Sequence, residues 1–101
     1  MWFITVFTKI EPNLSSWPEF GYQRTWGFYS DRETAVKALH ENWTDMYEYC
    51  YNYALIEKFE EGISHYVLDS RQWFKFDHER EGYFEIEEPE CVKHLGSFAL
   101  G

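Results

Sequence analysis

The chain has few of the residues that mark several common classes of protein. Its 101 residues include two cysteines, and nine basic side chains stand against eighteen acidic ones. Two cysteines without a spacing motif do not make the disulfide framework of a small secreted domain. The net charge of −9 makes nucleic acid and anionic membrane surfaces unfavourable partners, because both attract clustered Lys and Arg. A charged partner is therefore expected to be a basic protein.

Long apolar segments are also lacking. No stretch approaches the roughly 20 apolar residues of a membrane-spanning helix. The opening MWFITVF has no basic residue and is interrupted by Thr5, so it predicts a strand rather than a signal peptide. We expect one domain over residues 1–101, cytoplasmic and with reduced thiols, because this length supports a single core.

Catalytic and metal-binding motifs are missing as well. The six glycines are too far apart for a phosphate-binding loop. Cys50 lies between tyrosines, and we expect it to be a buried, inert thiol. The four histidines are scattered, and the DHERE run at 77–81 is expected to be a solvated turn rather than a metal site. The sequence therefore predicts a non-enzymatic protein with no cofactor and no metal.

What the chain does have is an α+β pattern. The sequence predicts a mainly antiparallel sheet of four to five strands, one helix at about 31–43 packed on one face, and a short C-terminal helix beginning near Pro89. Ser30 and Glu33 have the spacing of a capping box at the start of the main helix. That helix joins the second and third strands, and a right-handed crossover there would allow them to run parallel. The expected strands cover residues 2–10, 22–29, 51–60, 72–77 and 82–87, and 63–71 is expected to be loop.

Aromatic residues are abundant, with five Trp, eight Tyr and nine Phe. Such side chains bury large areas and give a small domain a dense core. Trp17 and Phe20 lie in a Pro- and Ser-rich loop, and they are candidates for a lid folded over the sheet. Gly27 lies within a strand pattern and predicts a bulge or a close backbone approach.

The stretch MYEYCYNYALIEKF at 46–59 places tyrosine at every second position from 47 to 53. A period of two is typical of a strand face, but Asp45 and Glu48 favour a helical turn up to about residue 50. We therefore expect the strand to begin at Tyr51. Tyr51, Tyr53 and Leu55 are then predicted to share one face of that strand, beneath the helix.

The strongest candidate for a functional surface is an acidic hairpin. Residues 77–90 contain seven acidic side chains and one arginine. Such a surface either imitates a nucleic-acid backbone and binds a basic groove on a partner protein, or serves as a solubilising face. The candidate protein-binding residues are Asp77, Glu79, Glu81, Glu85, Glu87 and Glu88.

An alternative site would bind a nucleotide-like small molecule. Arg24 and Trp26 offer a guanidinium and an indole close together, which suits a phosphate and a stacked base. The competing interpretation is that Arg24 pairs with one of the many acidic side chains. The full candidate set for this site is Arg24, Trp26, Tyr51, Tyr53 and Trp73.

Most of the chain resembles a family of uncharacterised proteins of about this length from Firmicutes, their phages and mobile elements. The resemblance lies in RTWGFYSDRETAVKALHENWTDMYEYCYNYALIEKFEEGI at 24–63 and continues to WFKF and IEEPE. It supplies no activity and no catalytic residues. It implies a small accessory protein, and the corresponding expectation is an inhibitor that contacts host or defence machinery.

Overall fold

Within the residues that the structure describes, the fold is a single sheet of six strands with one α-helix. A computed structural model describes residues 1–12, 18–62, 65–66, 70–93, 95 and 98–99. Trp17, one of the two proposed lid residues, lies outside them. The strands are β1 (Trp2–Phe7), β2 (Gln23–Tyr29), β3 (Tyr53–Glu60), β4 (His65–Tyr66), β5 (Gln72–Asp77) and β6 (Gly82–Ile86).

The sheet has the order β2-β1-β3-β5-β6, and β4 pairs with the far end of β3. Every pairing is antiparallel. Because β2 and β3 both pair with β1, they run parallel to each other with β1 between them. The α+β prediction is confirmed. The expectation of loop throughout 63–71 is wrong at β4, since two residues are too few to show an alternating pattern.

The helix α1 spans Arg32–His40 and starts one residue later than the capping-box pattern suggested. Its N-cap is Asp31, whose carboxylate accepts hydrogen bonds from the backbone N–H and the hydroxyl of Thr34 at 2.8 and 2.7 Å. These bonds lower the pKa of Asp31. Ser30 and Glu33 therefore do not form the predicted capping box, because Asp31 with Thr34 offers two hydrogen bonds at the same spacing.

The described part of the chain also contains two short 3-10 segments, Trp43–Tyr49 and Glu90–Val92. The first confirms a helical turn before residue 50, although Trp43 lies in this segment and not in α1. The second is a single turn at the place where the sequence predicted a short C-terminal helix.

Both faces of the sheet carry a core. On the helix side, Ile4, Val6 and Ile56 pack with Ala38 and Leu39 of α1. On the opposite side, the buried residues are Phe7, Leu55, Trp73 and Val92, and the half-buried residues against them include Phe20 and Phe98. Successive residues of β1 and β3 point to opposite faces, so these strands are apolar along most of their length.

The predicted tyrosine face does not exist as one surface. Tyr51 is 8% exposed and belongs to the helix-side core, whereas Tyr53 and Leu55 pack on the opposite side. The reason is that β3 begins only at Tyr53. The chain turns at Cys50, which has a left-handed φ of 68°, and Tyr51 therefore lies outside the alternation of the strand.

A buried carboxylate ties the C-terminal residues to the sheet. Glu57 on β3 is fully buried and accepts hydrogen bonds from the backbone N–H groups of Phe98 and Ala99 at 3.1 and 3.0 Å. Burial raises the pKa of Glu57 above its ordinary value of 4.5, and the two hydrogen bonds and the charge of Arg71 offset this only in part. Ionising Glu57 in the folded protein therefore costs more free energy than ionising a glutamate in water.

We expect Glu57→Gln to remove a pH-dependent part of the stability. A carboxyl whose folded pKa is raised loses stability as pH rises from the unfolded pKa through the folded one, because the native state binds more protons in that window. The amide keeps an acceptor for Phe98 and Ala99 but does not titrate. The free energy of unfolding of the wild type, minus that of the variant, should fall as pH rises from about 4 toward neutrality.

Urea denaturation of both proteins over that pH series makes the measurement. All other carboxyl groups, Asp31 included, are common to the two proteins, and their contributions cancel. A difference that stays constant or grows with pH would show that Glu57 does not have a raised pKa.

Gly82 is required by a close approach between β6 and the end of α1. A Cβ atom built at Gly82 would overlap the carbonyl oxygen of His40 and lie 2.7 Å from its carbonyl carbon. Gly82→Ala should therefore destabilise the fold by about 1–3 kcal/mol, as overpacking does. Gly27→Ala is the matched control, because a Cβ there meets no atom within 4 Å. Equal denaturation midpoints for the two variants would contradict the predicted contact.

Candidate functional site

The acidic hairpin is formed by β5, β6 and the turn between them, and β6 is one edge of the sheet. Glu79 and Glu81 lie in the turn and Glu85 lies on β6, while Glu87 and Glu88 follow that strand. Charged side chains on an edge strand also discourage pairing with another strand. The structure therefore places the predicted acidic residues along one edge of the sheet.

Two of the six predicted residues are engaged within the protein. Asp77 pairs with Arg80 at 2.9 Å and accepts hydrogen bonds from the backbone N–H groups of Glu79 and Arg80. These contacts, with the Arg80 side chain foremost, lower the pKa of Asp77. Glu88 pairs with Arg71 at 2.7 Å and accepts a hydrogen bond from the indole N–H of Trp73 at 3.0 Å. Asp77 and Glu88 stabilise the hairpin and its surroundings.

The other four predicted acids face solvent. Glu79, Glu81, Glu85 and Glu87 are exposed, and none of them forms an ion pair within the described part of the chain. Glu90, which follows them, pairs with Lys93 at 2.8 Å. We call the side chains of Glu79, Glu81, Glu85 and Glu87 the glutamate edge. The glutamate edge is a strip of exposed carboxylates that form no ion pair within the described part of the chain.

The predicted small-molecule set is divided between two sides of the sheet. Trp73 is 1% exposed and lies in the core opposite the helix. Tyr53 also packs on that side, and the ammonium of Lys75 lies 5.5 Å from the centre of its ring. Trp26 and Tyr51 belong to the helix side. The five residues therefore do not form one stacking platform.

Three of the five do lie together around the indole of Trp26. The guanidinium of Arg24 lies 5.4 Å from the Trp26 ring centre, and the ring centres of Tyr51 and Tyr49 lie 5.4 and 5.8 Å from it. Within the described residues Arg24 makes no ion pair. No acidic side chain in the described part of the chain therefore forms the ion pair with Arg24 that the competing interpretation expects.

Trp26 owes its position to a bulge in β2. The register with β1 pairs Ile4 with Gly27 but Thr5 with Thr25, so Trp26 is an extra residue between the two pairs. This confirms the irregularity expected at Gly27. A bulge turns the local side chain out of the regular alternation, and the indole of Trp26 packs against the helix-side core.

The connection between α1 and β3 has an unusual backbone. Asn42, Thr44, Asp45 and Cys50 all have positive φ, from 50° to 68°. Thr44 is the most unfavourable of them, because β-branched residues rarely adopt the left-handed region. The side chain of Asn42 supports the segment by accepting from the Tyr47 N–H at 3.0 Å and donating to Glu48 at 3.1 Å. Strain of this kind tends to occur at functional sites.

The strained Thr44 borders a cavity of about 90 Å³ between β2, α1 and the first 3-10 segment. The Thr44 hydroxyl accepts a hydrogen bond from the indole N–H of Trp26 at 2.8 Å. The half-buried aromatic residues that line the cavity are Trp26, Tyr29 and Trp43. The buried residues that line it are Ile4, Ala38 and Met46. We call this space the aromatic cavity.

Sequence reasoning identified Trp26 but missed Tyr29, Trp43 and Thr44. Tyr29 was visible as the last aromatic residue of the second predicted strand. Trp43 is the last residue of the helix that the sequence predicts at about 31–43. For Thr44 there was no local signal, because its backbone conformation depends on how α1 and β3 are joined in space.

Other reactive groups do not form a site. Within the described residues, no cluster of three His, Cys, Asp or Glu side chains has metal-binding geometry. The expectation of a buried Cys50 is wrong, since this thiol is exposed at the C-cap of the first 3-10 segment. His40 stacks on Phe84 with ring centres 4.5 Å apart. No helix in the described ranges is long and apolar enough to cross a membrane.

Comparison with known proteins adds no assignment. The chain matches no model of a protein family, no curated protein and no solved structure. The function must therefore be inferred from the glutamate edge and the aromatic cavity.

Proposed function

We propose that the protein is a small non-enzymatic binding protein whose glutamate edge contacts a basic partner protein. The observation that supports this proposal is the exposure of Glu79, Glu81, Glu85 and Glu87 without ion pairs in the described part of the chain. Unneutralised like charges held on one rigid edge repel each other. A partner rich in Lys and Arg relieves that repulsion and gains charge-assisted hydrogen bonds.

The hairpin offers these carboxylates on a fixed scaffold. Asp77 holds the turn through Arg80 and two backbone N–H groups, and Glu88 fastens the end of the hairpin to Arg71 and Trp73. A rigid presentation loses less conformational entropy on binding than a flexible acidic tail does. Two of the acids thus support the four that are proposed to make the contact.

The partner with the best chemical fit is a protein that normally binds nucleic acid. Its groove would carry the positive charge that attracts a phosphate backbone, and a strip of carboxylates supplies the same sign of charge. Occupying that groove would exclude the nucleic acid, so the proposed effect is inhibition. In the setting that the family resemblance implies, the target would be part of the host or defence machinery.

A nucleotide-sequestering function has less support. Trp73 and Tyr53 lie on the side of the sheet away from Trp26, and the cavity next to Trp26 holds about 90 Å³. Typical sites for drug-sized ligands hold about 300–1,000 Å³. We therefore give preference to the protein-binding function.

Neutralising three of the four carboxylates of the glutamate edge should abolish partner binding. We expect Glu79→Gln/Glu85→Gln/Glu87→Gln to lose most of the partner that the wild type captures from host lysate, measured by quantitative mass spectrometry. Binding by the wild type should also weaken steeply as salt is raised, because exposed charges are screened within about 10 Å at 0.1 M salt.

The matched control is Glu33→Gln/Glu60→Gln/Glu61→Gln, which removes the same charge from exposed positions outside the hairpin. It should keep the partner, since the proposed contact depends on position and not on net charge. Equal capture by the two triple variants, or binding that does not respond to salt, would contradict the proposal.

A further inference from the structure

The aromatic cavity has the chemistry of a cation site. Its walls are the rings of Trp26, Tyr29 and Trp43, and the Tyr29 and Trp43 rings meet at 69° with centres 6.0 Å apart. Aromatic rings attract cations through their negative π surfaces. We propose that the aromatic cavity binds the quaternary ammonium group of a small organic cation such as choline.

The size of the cavity limits what can enter it. About 90 Å³ is well below the roughly 300 Å³ at which sites for drug-sized ligands begin. One compact, branched head group suits such a volume, whereas a base with its ribose does not. A head group that bears methyl groups also gains from contact with the apolar side chains of Ile4, Ala38 and Met46.

Hydrogen bonding in the walls disfavours an anion. The indole N–H of Trp26 donates to Thr44 at 2.8 Å, and that of Trp43 donates to the Glu41 carboxylate at 2.9 Å. Both indole donors are therefore used within the protein. The Glu41 charge also places a negative group at the edge of the Trp43 ring, which favours a positive ligand over a neutral one.

The protein already shows that the Trp26 indole accepts a cation. The guanidinium of Arg24 lies 5.4 Å from the centre of this ring, within the roughly 6 Å typical of cation–π contacts. Among the described residues, no lysine or arginine lines the cavity itself. The net charge of −9 adds a favourable field for any positively charged ligand.

The strained Thr44 holds one wall of the cavity in place. Its φ of 61° is an unfavourable conformation for a β-branched residue, and its hydroxyl accepts the hydrogen bond of the Trp26 indole. Fixing a wall before the ligand arrives removes an entropy cost from binding. This gives the strain a purpose that packing alone does not provide. The site lies on the β2 side of the sheet, at the opposite edge from β6, and is independent of the glutamate edge.

The test compares choline with its neutral isostere, in which a quaternary carbon replaces the nitrogen. Titration of the wild type is followed by proton NMR of the ligand methyl groups. Choline should bind with an upfield shift of its N-methyl signal, because the methyl groups would lie over aromatic faces. The isostere should bind at least about fivefold more weakly, which corresponds to a cation–π contribution of roughly 1 kcal/mol.

Variants locate the binding site. Trp43→Leu should lose choline binding, and Trp43→Phe should keep part of it. Tyr22→Leu is the control, because Tyr22 is an exposed aromatic residue at 79% and does not line the cavity. Gly27→Leu places a side chain beside the cavity without a clash at its Cβ, and it should weaken binding even if Trp43→Leu does not fold.

Three results would overturn the proposal. The first is no detectable choline binding to the wild type. The second is equal affinity for choline and its isostere, which would make the cavity an apolar site. The third is binding that Tyr22→Leu abolishes and Gly27→Leu leaves unchanged, which would place the ligand elsewhere. None of these results bears on capture of a basic protein by the glutamate edge.

Discussion

The pairing of β1 with β3 is the constraint on which the rest of the fold depends. These strands lie side by side near the middle of the sheet, with Ile4 opposite Ile56 and Val6 opposite Ala54. Both strands are buried on both faces. If the register of this pair shifted by one residue, the side chains that now pack against α1 would face the C-terminal residues, and those that face the C-terminal residues would pack against α1. The register of this one pair therefore sets the composition of both cores.

A sheet covered on both faces leaves its edges and connections for contact with other molecules. The glutamate edge lies on the β6 side of the sheet. Arg24 and the bulge that redirects Trp26 lie on the β2 side. The 42–50 connection bends through four positive φ angles and brings Thr44 to Trp26. The glutamate edge thus lies on residues that the two cores do not need for packing, whereas the aromatic cavity borders the helix-side core.

The two candidate sites differ in how far the sequence anticipated them. The glutamate edge is local, since its members lie within one hairpin whose strands alternate clearly. Even so, the sequence did not reveal that Asp77 and Glu88 are engaged, because their partners depend on the turn and on Arg71 and Trp73 packed nearby. The aromatic cavity joins residues from β2, α1 and the 3-10 segment. Such a grouping depends on long-range packing that periodicity does not report.

The amino-acid sequence was sufficient for the α+β class, for most strands and for the position of the main helix. These features follow from side-chain periods and cap residues that act over a few positions. Tertiary packing decided the rest. It assigned Tyr51 to one face and Tyr53 to the other, left Cys50 exposed, buried Glu57 and enclosed the aromatic cavity. Each of these outcomes depends on contacts between residues that are far apart in the sequence. A local sequence pattern contains no information about such contacts.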